Sequence, residues 1–180
     1  MNEDWAEAVL QFWFGELEPR HWFTRDARID ALIAERFGAL YEQVRRLNPA
    51  QHASPRSCLA AVIVLDQFPR NMFRSSPRAY ESDALALSIS QRAIDSGFDA
   101  QLEPRQRTFL YMPWQHSEDA AVQERSVRLF QQLGESEGLN YAQQHKDVID
   151  RFGRFPHRNA ALQRTSTAEE LEFMKTHRGF

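Results

Sequence analysis

The run CLAAVIVL, residues 58–65, is apolar all the way round a helical wheel, and it constrains the fold more than any other stretch. A helix with no polar face must be surrounded by other elements. Ser54-Pro55 precedes the run, a cap followed by proline at the first helical position. The spacing predicts a helix over 55–68 at the centre of the fold, ended by Pro69.

Around this centre the chain reads as helix almost throughout. The first helix is expected over 4–14, with Trp5, Val9, Phe12 and Trp13 as its apolar stripe and Gly15 as its stop. In the loop that follows, Trp22 and Phe23 are expected to anchor against the core. Ile29, Ile33, Phe37, Leu40, Val44 and Leu47 predict a second helix over 26–47, closed by Asn48-Pro49. After the central helix come predicted helices over 77–96, stopped by Gly97, and over 104–112, broken by Pro113. Ser117 is expected to cap a helix over 118–133 that Gly134 closes, and another is expected over 140–152. Thr167 and Glu170 form a capping box that opens a last short helix. No period-two alternation or Asn-Gly turn signals a strand. The pattern is all-α, an irregular array of helix hairpins.

At 180 residues and 21.0 kDa the chain is expected to form a single all-helical domain, 1–180. A chain of this length buries roughly 70% of its unfolded surface, so it needs neither disulfide nor metal to fold. The lone Cys58 falls inside the apolar run and reads as a core thiol. A net charge of −3 argues against a general nucleic-acid binder. The acidic start lacks the basic segment of a signal peptide, and no apolar run approaches the roughly 20 residues that span a bilayer. The reading is a soluble, cytoplasmic protein with no membrane partner.

Chemistry-bearing residues crowd at the helix breaks. LDQFPRNMFR, residues 65–74, and VIDRFGRFPHRNAALQR, residues 148–164, each carry Phe-Pro followed by Arg-Asn just past an apolar helical run. Two such corners facing each other would enclose one polar, arginine-lined pocket. The first offers Asp66, Arg70, Asn71 and Arg74, either a salt-bridged bend or a clamp in which planar guanidinium forks grip a carboxylate or phosphate. The second offers Arg151, Arg154, His157, Arg158, Asn159 and Arg164, either paired to acids such as Asp66, Glu118 or Asp147 or forming an anion pocket. His116 precedes a helix start, where exposed N–H groups favour anions, with Ser117 as the expected cap and Glu118 and Asp119 in the first turn. His145 lies on the apolar face of its helix. His116, His145, His157 and Glu118 have the ligand types of a metal site, but the nearby arginines repel a cation, so no metal is assigned. No glycine-rich phosphate loop, nucleophile elbow or His-Glu-x-x-His is present, and no cofactor is implied.

Longer stretches carry a resemblance: VLQFWFGE (9–16), WFTRD (22–26), LDQFPRNMFR (65–74), RAYESDALAL (78–87), FLYMPWQHSED (109–119), QERSVRLF (123–130) and RFGRFPHRNAALQRTSTAEE (151–170). Through these the chain closely resembles a mainly bacterial family catalogued as domain of unknown function 924. The resemblance implies an all-α fold similar to tetratricopeptide-repeat proteins, and it supplies no activity. The sequence departs from the family at Leu162-Gln163-Arg164, where Leu-Gly-Arg is usual, and this bears on the turn there.

Two functions are weighed on these residues. In the first, the protein is an enzyme or small-molecule binder for an anionic ligand. Arg70, Asn71, Arg74, His145, Arg154, Arg158 and Asn159 bind it, and His116, Glu118, His157 and Asp66 are the candidates for acid–base catalysis. In the second, the helical array is a scaffold that offers a concave groove to a peptide, with the Phe-Pro corners as locks. Neither substrate nor oligomeric state follows from the residues.

Overall fold

The apolar stripes fold into helices where the periodicity places them. The computed structural model describes residues 4–177 and 179. Every regular element among them is helical, so the chain is all-α. The helices are α1 (Asp4–Gln11), α2 (Ala27–Val44), α3 (Pro55–Val62), α4 (Phe68–Met72), α5 (Asp83–Asp95), α6 (Pro104–Gln115), α7 (Ala120–Leu133), α8 (Ser136–Phe152) and α9 (Ala168–Phe173). The chain divides into two compact units, Met1–Arg74 with Arg78–Pro113, and Ser75–Pro77 with Trp114–Phe180.

In the first unit α3 takes the central place its composition demands. It packs on α1 and α5, and residues 58–65 are all fully buried. Phe12, Phe37 and Phe68 meet beside it, with ring centroids 5.0 Å (Phe12–Phe37) and 4.9 Å (Phe37–Phe68) apart. Cys58 is buried there, and burial pushes its thiol up to about 11, so it stays protonated and inert. Trp22 anchors as expected: its indole N–H donates to the Trp13 carbonyl at 2.9 Å and its ring meets Phe109 at 5.0 Å. Phe23 corrects the expectation, since it stacks on Phe109 yet stays 70% exposed.

Two prolines expected to end helices do not. After α3 a π-helical turn, Ile63–Gln67, leads directly into α4, which contains Pro69. A proline leaves the carbonyl four residues back without its donor. Here that carbonyl is Leu65, and the buried Ser82 hydroxyl donates to it at 2.6 Å. The wider π turn inserts one extra residue just before the ring. Pro113 likewise lies inside α6. The buried Ser90 hydroxyl donates to the Leu110 carbonyl, one residue past the carbonyl that Pro113 cannot serve. Ser82 and Ser90 both belong to the α5 segment. The helix expected over 77–96 is instead a 3-10 turn, Pro77–Ala79, followed by α5.

In the second unit α7 and α8 form a hairpin closed by Gly134 at φ +80°. The cap of α7 is Asp119, whose carboxylate accepts from the Ala121 and Val122 N–H groups, and not Ser117. Helix α8 begins at Ser136, four residues before its expected start, and Gly153 ends it at φ +68°. Val148, Ile149 and Phe155 form a core, with Phe152 and Phe173 packed on it. The capping box of Thr167 and Glu170 opens α9.

Candidate functional site

Both Phe-Pro corners use proline to open a helical turn: Pro69 at the start of α4, Pro156 at the start of a 3-10 turn, Pro156–Arg158. The corners belong to different units, and the ion pairs of each close within its own unit.

In the first unit Asp66 is fully buried, at the end of the π turn. Its carboxylate accepts from the Gln67 amide at 2.5 Å and lies 3.4 Å from Arg70 Nη1. Arg70 forks onto Asp83, with both bonds at 2.9 Å. Burial works against the Arg70 charge, but Asp66 and Asp83 outweigh it and hold the guanidinium protonated. Asn71 donates to Asp30 at 2.8 Å, and Arg74 forks onto the same carboxylate. The clamp arginines are thus matched to acids, two of which, Asp30 and Asp83, were not picked out from the sequence.

In the second unit Glu118 turns away from its own helix start. It accepts from the Phe155 N–H at 2.8 Å and from Arg164 at 2.6 and 2.9 Å. Burial raises its pKa, but Arg164 and the Phe155 N–H outweigh this and hold it below the usual carboxylate range. Arg164 also donates to Asn159 Oδ1 at 3.0 Å, and Asn159 donates to Glu170 at 3.2 Å. Glu170, only 2% exposed, receives the Arg154 fork at 2.6 and 2.9 Å and the Thr167 N–H at 2.7 Å. The Arg154 hydrogen bonds lead in lowering its pKa to about 2. Glu170 stood out in the sequence only as a capping residue, although it anchors this whole network.

The imidazoles gather beside it. His145 is 4% exposed, and its Nδ1 lies 2.7 Å from the Tyr141 carbonyl, so the proton sits on Nδ1. Its ring is 6.0 Å from His116 and 5.6 Å from Phe155. His157 approaches Phe155 at 5.6 Å, and the Arg158 guanidinium lies 4.6 Å from the same ring. Burial first, and then proximity to His116, Arg158 and His157, push the His145 pKa down to about 3, so it is neutral at pH 7. Among the described residues no three His, Cys, Asp or Glu side chains are grouped to hold a metal ion, and no helix is long and apolar enough to cross a membrane.

A cavity of about 320 Å³ lies elsewhere, in the first unit, where Glu7 of α1 and Arg56 of α3 pair across it beside Gln101 and Gln106. A second, of about 230 Å³, shares Glu7, Arg56 and Gln106 and runs on to Gln11 and Phe14. This groove gave no signal in the sequence, because its lining is drawn from three separated segments of mixed polar and apolar residues.

Residues 9–178 match the model of a family described as bacterial protein of unknown function, DUF924. The chain belongs to this family. A solved structure of a protein of unknown function from Agrobacterium tumefaciens is 35% identical to this chain, with a TM-score of 0.92. The alignment covers 98% of this chain and 100% of that one. No curated protein matches. The family and the all-α fold are therefore shown.

Proposed function

We propose that this chain binds an anionic small molecule at the imidazole–guanidinium cluster of its second unit. One observation carries the reading. His116 meets His145, and His145, His157 and Arg158 all meet the Phe155 ring, so three imidazoles and a guanidinium gather at one corner. Arg154, Arg164 and Asn159 then hold the corner in shape, and Arg158 supplies the charge that meets the ligand. Asp66, Arg70, Asn71 and Arg74 form a balanced network inside the first unit and serve the fold. Proton transfer at such a site falls to His116 or His157, both half-buried, because Arg164 keeps Glu118 a carboxylate.

The test is calorimetry with a panel of small carboxylates and phosphate esters. Arg158→Gln and His157→Gln should each weaken a saturable ligand by about tenfold or more, the loss of one charge-assisted bond. Their circular dichroism should match the parent. A panel without a binder, or a ligand indifferent to both substitutions, overturns the reading.

The groove in the first unit favours a second reading, a peptide-binding scaffold. It joins an exposed Glu7–Arg56 pair and glutamine amides to Phe14, whose ring meets Trp22 at 5.9 Å. Peptides selected on the parent and lost on Arg56→Glu would support it, and selection that yields no common sequence would count against it.

A further inference from the structure

His52 and Arg92, in the first unit, are the polar side chains whose surroundings explain them least. His52 follows the 3-10 turn Pro49–Gln51, which packs on α5, the helix that carries Arg92. His52 is 2% exposed, and its Nε2 has no hydrogen-bond partner among the described residues. Arg92 is half-buried, with its Nε enclosed and likewise without a partner.

Elsewhere the half-buried arginines follow a rule. Arg70, Arg107, Arg154 and Arg164 each meet a carboxylate, and Arg125 lies over the Trp114 ring. Arg92 meets neither a carboxylate nor a ring among the described residues. The acid one turn along its own helix, Asp95, is engaged by the Gln91 amide at 2.6 Å. What faces His52 is equally short of acceptors. The Trp5 ring stands edge-on at 6.0 Å, and the Cys58 thiol donates to the His52 carbonyl. Burial first, then the Arg92 charge, lowers the pKa of the imidazole. Two enclosed nitrogens, the Nε–H of a guanidinium and the Nε2 of an imidazole, thus lie on packed elements with no carboxylate paired to either among the described residues. Leaving such donors unmet is costly, and a charged donor more so.

We propose that Arg92 and His52 form a site for one small oxyanion, the phosphate or carboxylate group of a ligand. The guanidinium Nε–H and the imidazole Nε2–H both donate to it. The bound anion supplies the acceptor that every other half-buried guanidinium except the ring-stacked Arg125 finds within the fold. This site is separate from the cluster around His145 and rests on different residues.

The experiment titrates the whole chain with inorganic phosphate, and separately with acetate, at constant ionic strength set by chloride. It follows the His52 imidazole by nitrogen-15 NMR. One of the two anions should shift the His52 signals saturably and raise the His52 pKa by about one unit, as a neighbouring anion does. The anion that saturates identifies the group. Arg92→Met, which keeps the stem, should weaken binding by about tenfold or more, and Arg92→Lys, which keeps the charge, by less. Arg158→Gln should leave this titration unchanged, so the two sites succeed or fail independently. If neither anion saturates, water satisfies these donors and the proposal falls. It falls equally if Arg92→Met, or Arg92→Lys should the methionine variant not fold, binds as well as the parent with an unaltered His52 response.

Discussion

Gln163 sits in a left-handed conformation, φ +54°, in the turn that delivers Arg164 to Glu118. This is the position where the resemblance to the family leads to the expectation of glycine. The left-handed region costs a residue with a Cβ roughly 1–2 kcal/mol, and glycine's extra freedom in the unfolded chain returns about 0.5–1 kcal/mol of that. Gln163→Gly should therefore stabilise the protein by about 0.5 kcal/mol, read as a higher urea midpoint with an unchanged slope. A lower midpoint would mean that the glutamine side chain earns its place through contacts. The departure from the family pattern was thus readable from the sequence, while the pairing of charges was legible only in part. Residue types marked Arg70, Arg74, Arg154 and Arg164 as a group, and Glu118 was among the acids expected to meet them. Asp30, Asp83 and Glu170 were not, because they lie outside the clusters that residue type marked, whereas Glu118, 46 residues from Arg164, lies inside one.

Helix ends divide in the same way. Gly97 and Gly134 were legible as stops, and Gly153 as a break after its helix, because a positive φ is a property of one residue. Pro69 and Pro113 were not legible as interior residues, because their tolerance depends on hydroxyls that arrive from α5. Two other glycines lie inside helices and should respond oppositely to the same change. Gly38, in α2, has open space where a Cβ would go. Gly38→Ala should stabilise by about 0.5–1 kcal/mol, the helix-propensity difference. Gly138, in α8, has the Phe130 ring 2.8 Å from that position, and Phe130 is fully buried on α7. There the same gain meets an overpacking cost of about 1–3 kcal/mol, so Gly138→Ala should come out destabilising by about 1 kcal/mol. Denaturant titration of the two variants side by side checks both signs, and a stabilising Gly138→Ala would show that the α7–α8 hairpin can spread.

For the whole molecule the buried imidazoles set where acid begins to act. The folded pKa of His145 is about 3, against 6.5 for a solvated imidazole. Between those values the unfolded chain holds a proton that the folded chain refuses, so stability rises with pH and is lost as pH falls from 6.5. One such group contributes a slope of about 1.4 kcal/mol per pH unit through the middle of that window. His52, also lowered by burial and then by Arg92, acts with the same sign. The carboxylates enter later. Glu170, at about 2 when folded against 4.5, stabilises the protein fully above pH 4.5 and loses that contribution as pH falls toward 2. Unfolding free energy should therefore decline already between pH 6 and pH 4.5, before the carboxylates titrate, and more steeply below. His145→Gln should lessen the slope from pH 6.5 down to about pH 3 and leave the further loss toward pH 2, where Glu170 titrates, intact. A parent curve that is level down to pH 4.5 would mean that His145 takes up its proton in the folded state. The packing of the imidazole cluster around Phe155 would then be looser than the fold described above.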